Sequence, residues 1–598
     1  MRRLLVWLLL AAGVARADSG TLIPKDKQAP DASVLSLEEM TVDVTIDNGD
    51  AHVSIVQIFL NHTAGIEEGT YRFSLPTGAT VSDFAVWDGP VRIPAVILER
   101  KRAEQVYDQA QLQAIDPGLL KMGERDSVDP KNTAVFTAKI VPIPAYGTKR
   151  LELEYHQRLT TANFKQFFAL PLKPEAGQQQ TARHFKLHFA LHSAQALAKI
   201  DAPGKDFPLV LSDAHTAEAT FDLKDFAFVE DFQATWHLAA ASGDHLELIT
   251  HYDPTAHSPT AADQAPEKPA PEPGFFEASL LVADPVPAPA QAPRGAPGTV
   301  ILLFDNSLSM QWEKLERSYA ALEATLHSLH PGDSFNVLLF NQAVTPFQPK
   351  PVPATLDAVQ QALNFVRASR LRGGTDLGRA LEAGLAQATD ENTTLALLTD
   401  GGSDRGETIL PARIAAQYAA RWKQSPHPPH TAVFAVGDDA NVTLLRNLSH
   451  NGGFLEQVLS TEPVDFHLQS FLSKLTRTPV AGLSLAAPGA SLVYALDDAV
   501  YPGSLAQWVG QYKPAAGTLK ATALGSRNGA SFTASVEASL PGTAAHPQLP
   551  RLWAQARVDA LLAQIDRDGE SAALIDEIIR LSRRYKFVTP YTSFLAVS

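Results

Sequence analysis

The chain has 598 residues, no cysteine and a formal net charge of −15. Its length is more than one hydrophobic core serves and points to about four domains. The acidic balance disfavours nucleic acid and anionic membrane surfaces as partners, and the missing thiols exclude disulfides, a lipoprotein anchor and Cys-based catalytic or metal sites.

Residues 1–17 read as a secretory signal. Arg2 and Arg3 precede an apolar run from Leu4 to Val14, and Ala15-Arg16-Ala17 supplies an A-x-A cleavage pattern. The run is shorter than the about 20 residues that cross a bilayer. Cleavage after Ala17 removes three arginines and no acid, taking the net charge to −18. An exported chain of this size without disulfides relies on burial alone, which favours a bacterial periplasm or the medium around the cell. No other stretch reads as transmembrane.

Residues 36–60 alternate apolar and polar positions. Val42, Val44 and Ile46 precede Asp47-Asn48-Gly49-Asp50, a hairpin turn signal, and Val53, Ile55 and Phe59 follow it. Further strands are predicted around Tyr71–Leu75 and Val81–Val86, and a short amphipathic helix over Lys101–Ala110. Phe136, Ile140, Leu151, Leu153 and Tyr155 return to strand periodicity. Phe59-x-Asn61, Tyr71-x-Phe73-x-Leu75-Pro76, Ala103-x-x-x-Tyr107-x-x-Ala110, Gly118-Leu119-Leu120, Phe136 and Tyr155-x-x-x-Leu159 together resemble the vault protein inter-alpha-trypsin (VIT) domain over residues 30–160. The resemblance implies a β-sandwich.

Residues 161–252 read as a β-rich region. His184, His188 and His192 would share one face of a helix and invite a metal. Phe185, Leu187, Phe189 and Leu191 alternate with them, which instead predicts a strand with its histidines in solvent. Residues 253–274 are a Pro/Ala-rich linker. In 275–297 a strand, Phe275–Val282, precedes a second such linker, so that strand is expected to pair with the β regions.

From residue 298 to 476 strands alternate with helices, the pattern of a parallel sheet covered on both faces. Strands are predicted near 299–304, 335–340, 394–399 and 431–436, and helices near 313–328, 355–368, 377–388, 407–423 and 463–474. The apolar run Ile301–Phe304 stops at Asp305, with Ser307 and Ser309 at alternate positions beyond it. Arg372-Gly373-Gly374-Thr375-Asp376 precedes a helix, and Leu395–Thr399 ends at Asp400-Gly401-Gly402. Ser309 and Thr375 also suit helix N-caps, and the acids suit turns. Asp305-x-Ser307-x-Ser309, then Thr375, then Asp400 resembles the metal-ion-dependent adhesion site of von Willebrand factor type A domains, although Leu308 stands where that family often has Gly. The resemblance implies Mg²⁺, with Mn²⁺ and Ca²⁺ as alternatives. Its ligands would be Ser307, Ser309 and Thr375 through their hydroxyls, with Asp305 and Asp400 near the ion, partly through water. Hard oxygen donors suit such ions.

Residues 477–548 return to a β-rich pattern, and 549–598 read as a helical hairpin and a final strand, Phe587–Val597. This ending resembles inter-alpha-trypsin inhibitor heavy chains and their bacterial relatives. The Asp-Pro-His-Phe motif for glycosaminoglycan attachment in the mammalian heavy chains is not found up to Ser598, so that attachment is not expected. Neither 161–252 nor 477–548 has helices enough to cover a sheet. They are expected to pack into one composite β module that includes the final strand, with the α/β Rossmann-like type A domain inserted into it.

The sequence holds no phosphate-binding G-x-x-x-x-G-K-[ST], no H-E-x-x-H and no G-x-S-x-G. Three functions stand. One is a secreted or periplasmic adhesion-type protein whose Mg²⁺ binds an Asp or Glu of a protein partner. A second is a metal-dependent hydrolase or hydrolase subunit. A third is an envelope scaffold in which the metal only stiffens loops.

Overall fold

The computed structural model describes residues 19–76, 78–99, 118–120, 135–174, 178–202, 207–239, 243–255, 272–283 and 298–596, save 391, 451–452, 460–461, 476, 478, 498, 516 and 528. The signal at 1–17 and the helix expected at Lys101–Ala110 lie outside the described residues.

The first half is a β-sandwich. Leu35–Asp47 (β1) and Asp50–Asn61 (β2) form a hairpin whose Asn48 and Gly49 both have positive φ, 51° and 86°. That turn matches the right-handed twist of the strands it joins, and an Asn-Gly pair adopts it readily. Ala79–Asp88 (β3), Thr148–Arg158 (β4), Thr181–His192 (β5) and Thr216–Ala227 (β6) extend the sheet in the order β6-β5-β1-β2-β4-β3, with Val91–Pro94 at its edge.

One boundary is corrected here. β5 pairs in parallel with β1, so much of 161–252 belongs to the same sheet as 30–160. The physical reason is burial. Phe185, Leu187, Phe189 and Leu191 line up beside Met40, Val42, Val44 and Ile46, and one continuous core runs from Leu22 to Leu238. His184, His188 and His192 point outward and meet Asp222, Asp43 and Asp47 at 2.6, 2.9 and 3.1 Å. Two small sheets form the second layer, one containing Glu67–Ser74 and the other Lys165–Leu170 and Phe232–Leu238.

His245–His251 (β7) and Gly274–Leu281 (β8) come next, and β8 is buried along its whole length. An α/β unit is then inserted. Its strands are Thr299–Asp305 (β9), Ser334–Phe340 (β10), Thr393–Thr399 (β11), His430–Val436 (β12) and Phe454–Val458 (β13). They run parallel in the order β10-β9-β11-β12-β13, and Val344–Pro346 adds an antiparallel edge beside β10. The helices are Glu313–Ser328 (α1), Leu356–Arg367 (α2), Leu377–Leu385 (α3), Pro411–Gln424 (α4), Val442–Ser449 (α5) and Val464–Leu475 (α6). Separate apolar clusters cover the two faces of the sheet. Two elements escaped the sequence pattern. α5 is only eight residues long, and β13 mixes Glu and Gln into a short strand. α4 starts later than expected because Pro411 suits a first turn, where no N–H is needed.

After the insertion, Ala490–Ala495 (β14) and Leu505–Tyr512 (β15) complete the sheet β7-β8-β15-β14. The composite β module is thus built from β7, β8 and the 477–548 region, while β5 and β6 lie elsewhere. A three-stranded sheet containing Gly517–Arg527 packs on one face. Leu549–Asp568 (α7) covers the other and is followed by Ala572–Tyr585 (α8). The last strand, Thr592–Ala596 (β16), corrects a second expectation. It pairs with Val96–Glu99 and Gly118–Leu120, on the sandwich side rather than in the composite module. The helical hairpin already occupies the composite face, so the chain leaving α8 reaches the sandwich edge instead.

Candidate metal centre

β9 lies between β10 and β11, where the strand order reverses. A crevice outside the carboxyl ends of such strands is the usual ligand position in open α/β sheets. β9 ends on Asp305, and β11 ends on Thr399, one residue before Asp400.

Asp305 is fully buried. Its Oδ1 accepts the Ser307 N–H at 3.0 Å, and its Oδ2 accepts the Thr399 hydroxyl at 2.5 Å. Burial, and after it the neighbouring Asp400 charge, push its carboxyl above the usual carboxylate range. The chain then turns through a single 3₁₀ turn, Leu308–Met310, anchored by buried Met310. The turn leaves Ser307 inside and Ser309 at the rim, their hydroxyl oxygens 3.0 Å apart.

Backbone bonds tie this loop to the one carrying Thr375. Leu308 N–H donates to Gly373 at 3.2 Å, and Arg372 N–H donates to Asn306 at 3.1 Å. Thr375 is buried, and its N–H donates to Asp404 Oδ1 at 2.7 Å. A Cβ at Gly374 would fall 2.2 Å from that same oxygen, so the close approach needs glycine. The third loop closes beside the first, since a Cβ on Gly402 would stand 3.2 Å from Asp400 Oδ1 and 3.9 Å from Ser309 Oγ. Asp400 Oδ1 accepts the Gly402 N–H at 3.0 Å.

Asp305, Ser307, Ser309 and Asp400 therefore converge, and the Thr375 loop is locked against them. Three participants carry no sequence signal strong enough to find them. Thr399 orients Asp305. Asp404 positions Thr375. Lys314 of α1 pairs with Asp400 Oδ2 at 2.9 Å and with Asp439 at 2.6 Å. Burial opposes the charge on Lys314, but Asp400 and Asp439 outweigh it and hold the amine above its usual range. A lone Lys near a helix start reads as a solvated residue, although Lys314 is 9% exposed.

The donor chemistry fits a hard divalent cation. Neighbouring oxygens of an octahedron with Mg–O bonds of 2.0–2.1 Å stand about 2.9 Å apart, close to the spacing of the two serine hydroxyls. Among the described residues no group of three or more His, Cys, Asp or Glu could hold a metal; the oxygens gathered here are two carboxylates and neighbouring hydroxyls.

Comparison with known proteins identifies two domains. The VIT family model, the vault protein inter-alpha-trypsin domain, matches residues 37–155, and a von Willebrand factor type A model matches 298–456. The chain carries a VIT domain and a type A domain. It is 23% identical to human inter-alpha-trypsin inhibitor heavy chain H4, over 94% of this chain and 60% of that protein. It is 24% identical to bovine heavy chain H3, over 98% of this chain and 67% of that one. The chain thus spans about three-fifths to two-thirds of the length of these curated relatives. A solved von Willebrand factor type A protein from Catenulispora acidiphila is similar at a TM-score of 0.34 and 14% identity, covering 57% of this chain and 87% of its own. Among the described residues no helix is long and apolar enough to cross a membrane.

Proposed function

We propose that this protein is a secreted or periplasmic adhesion-type binder, not an enzyme, and that its type A domain holds Mg²⁺ to capture an acidic side chain of a protein partner. Ser307, Ser309 and Thr375 would supply hydroxyls, and Asp305 and Asp400 would orient the ion. Mn²⁺ and Ca²⁺ are the alternative ions. The observation that carries this is the Ser307–Ser309 hydroxyl pair beside two buried carboxylates at the switch point of the sheet. Neutral hydroxyls leave a bound cation electrophilic, so a partner's Asp or Glu completes its shell. The ion's field dominates at contact, while the protein's own negative charge is screened within about 8 Å at physiological salt. The type A domain and the relationship to the heavy chains support a protein-binding role.

One observation favours the scaffold reading as the rival. Lys314 already supplies Asp400 with an internal cation. A pull-down from envelope extract separates the two. Capture in Mg²⁺ that is lost in EDTA supports adhesion, and capture that is equal in both supports the scaffold.

A further inference from the structure

A second polar cleft lies far along the chain from the metal centre, where the sandwich meets the start of α7. Its cavity measures about 250 Å³ and is lined by Ser82 of β3, Arg551 of α7 and Lys586 just after α8. Arg551 is 7% exposed. Its Nη2 donates to the Thr80 carbonyl and hydroxyl at 3.2 and 2.9 Å, but among the described residues its Nε and Nη1 have no hydrogen-bond partner. Ser82, 6% exposed, has an equally unpartnered hydroxyl. Buried donors left this way cost about 1–3 kcal/mol each, and more when charged. Burial pushes the Arg551 guanidinium down to about 10, although Asp50 and Glu154 partly restore it.

The surroundings favour an anion. The first turn of the 20-residue α7 lines the cleft without a side-chain cap; Leu549 N–H donates to the His546 carbonyl and Pro550 has no N–H, so the helix contributes its positive dipole end there. Gln548 stands at the N-cap, but its amide is engaged with Asp47 at 2.8 Å. Lys586 ends α8 in the left-handed region, at φ 54°, and is part of the lining. Arg584 lines the cleft too and pairs with Glu272. The acids nearby are engaged as well. Glu154, which itself lines the cleft, stands 3.6 Å from His52 and is held below its usual range by His52 and, more weakly, by Lys586, and Asp50 accepts from His156 at 2.9 Å.

We propose that this cleft binds a tetrahedral oxyanion, phosphate or sulfate, either free or as the end group of a larger molecule. Ser82, Arg551 and Lys586 bring donors from three separate elements, which suits a tetrahedral anion. Bound there, it ties the VIT sandwich to the C-terminal hairpin.

The test is calorimetric titration of the full chain, in EDTA and at ionic strength fixed with NaCl, with inorganic phosphate, sulfate and phenyl phosphate. Saturable binding above chloride is expected. Inorganic phosphate equal to phenyl phosphate identifies a free anion, and a tighter phenyl ester identifies an end group. Lys586→Asn keeps the left-handed backbone, which Asn tolerates, and Ser82→Ala removes one oxygen. Each should weaken binding about tenfold, and Arg551→Met should abolish it. If Arg551→Met does not fold, the other two variants decide. Absence of saturable binding, or parental affinity in both Lys586→Asn and Ser82→Ala, overturns the proposal.

Discussion

His467 holds the last helix of the type A domain to its sheet, and replacing it by Gln gives a prediction with a sign in pH. The ring of His467 sits buried on α6, with Nδ1 2.8 Å from Glu456 of β13 and Nε2 3.3 Å from Glu462. Glu456 also receives Ser470 at 2.7 Å and Lys474 at 2.8 Å. Burial opposes the His467 charge, but Glu462 and Glu456 outweigh it and lift the imidazole to about 9. Burial likewise opposes the Glu456 charge, yet Lys474 and His467 hold it down to about 2. A rise from 6.5 to about 9 corresponds to about 3 kcal/mol. The fall at Glu456 describes the same attraction from its other side and is not added. A raised histidine stabilises fully below pH 6.5 and loses that contribution as pH climbs through 9. A lowered glutamate stabilises above 4.5 and loses it as pH falls towards 2. The cluster is therefore at full strength between 4.5 and 6.5. His467→Gln should lower the melting temperature of the type A domain by about 6–12 °C at about pH 6. By about pH 10 the gap to the parent should largely close, because the parent's ring is then neutral. Scanning calorimetry at both pH values reads this. Equal melting at the lower pH, or an unchanged gap at the higher, refutes the reasoning.

Three further outcomes are expected. Lys314→Met removes the ammonium from Asp400 and should tighten Mg²⁺ binding about tenfold in a calorimetric titration; unchanged or weaker binding contradicts competition between amine and ion. Burial pushes Glu277 of β8 up to about 7 despite its 2.9 Å bond from Gln507, so this acid costs stability as pH rises from 4.5 to 7. Glu277→Gln should therefore stabilise by up to about 3 kcal/mol above pH 7 and be neutral below 4.5, as read by urea unfolding at both ends. Cutting an engineered protease site within the 253–274 linker should leave fragments that co-elute on gel filtration, because β7 and β8 pair from His245–Leu281 to His251–Phe275; native separation of the fragments contradicts the composite sheet.

Local patterns carried most of what was legible beforehand. Asn48-Gly49 marks its own hairpin, the run Ile301–Phe304 marks a strand buried on both faces, and the alternation around His188 excludes a helical metal site. What stayed hidden depends on distant pairing. Nothing local to Thr181–His192 says that it lies parallel to Leu35–Asp47, because either edge of a half-buried sheet satisfies its pattern. Thr592–Ala596 could pair wherever an edge stands open, and the placement of α7 decides which. The five residues proposed to hold a metal were visible as the motif that carries the adhesion-site resemblance, Asp305-x-Ser307-x-Ser309 with Thr375 and Asp400. Lys314 and Arg551 were not, since a basic residue in a helix gives no sign of being buried until the packing around it is known.

Calorimetric titration of the full chain with Mg²⁺ alone, beside Asp305→Ala and Ser309→Ala, tests the central claim most directly. Ser309 lies at the rim and contributes little to packing, so its replacement spares the fold. One ion per chain is expected in the parent, with binding abolished in Asp305→Ala and weakened about tenfold in Ser309→Ala. No saturable heat in the parent, or equal affinity in all three proteins, contradicts a metal-dependent adhesion site.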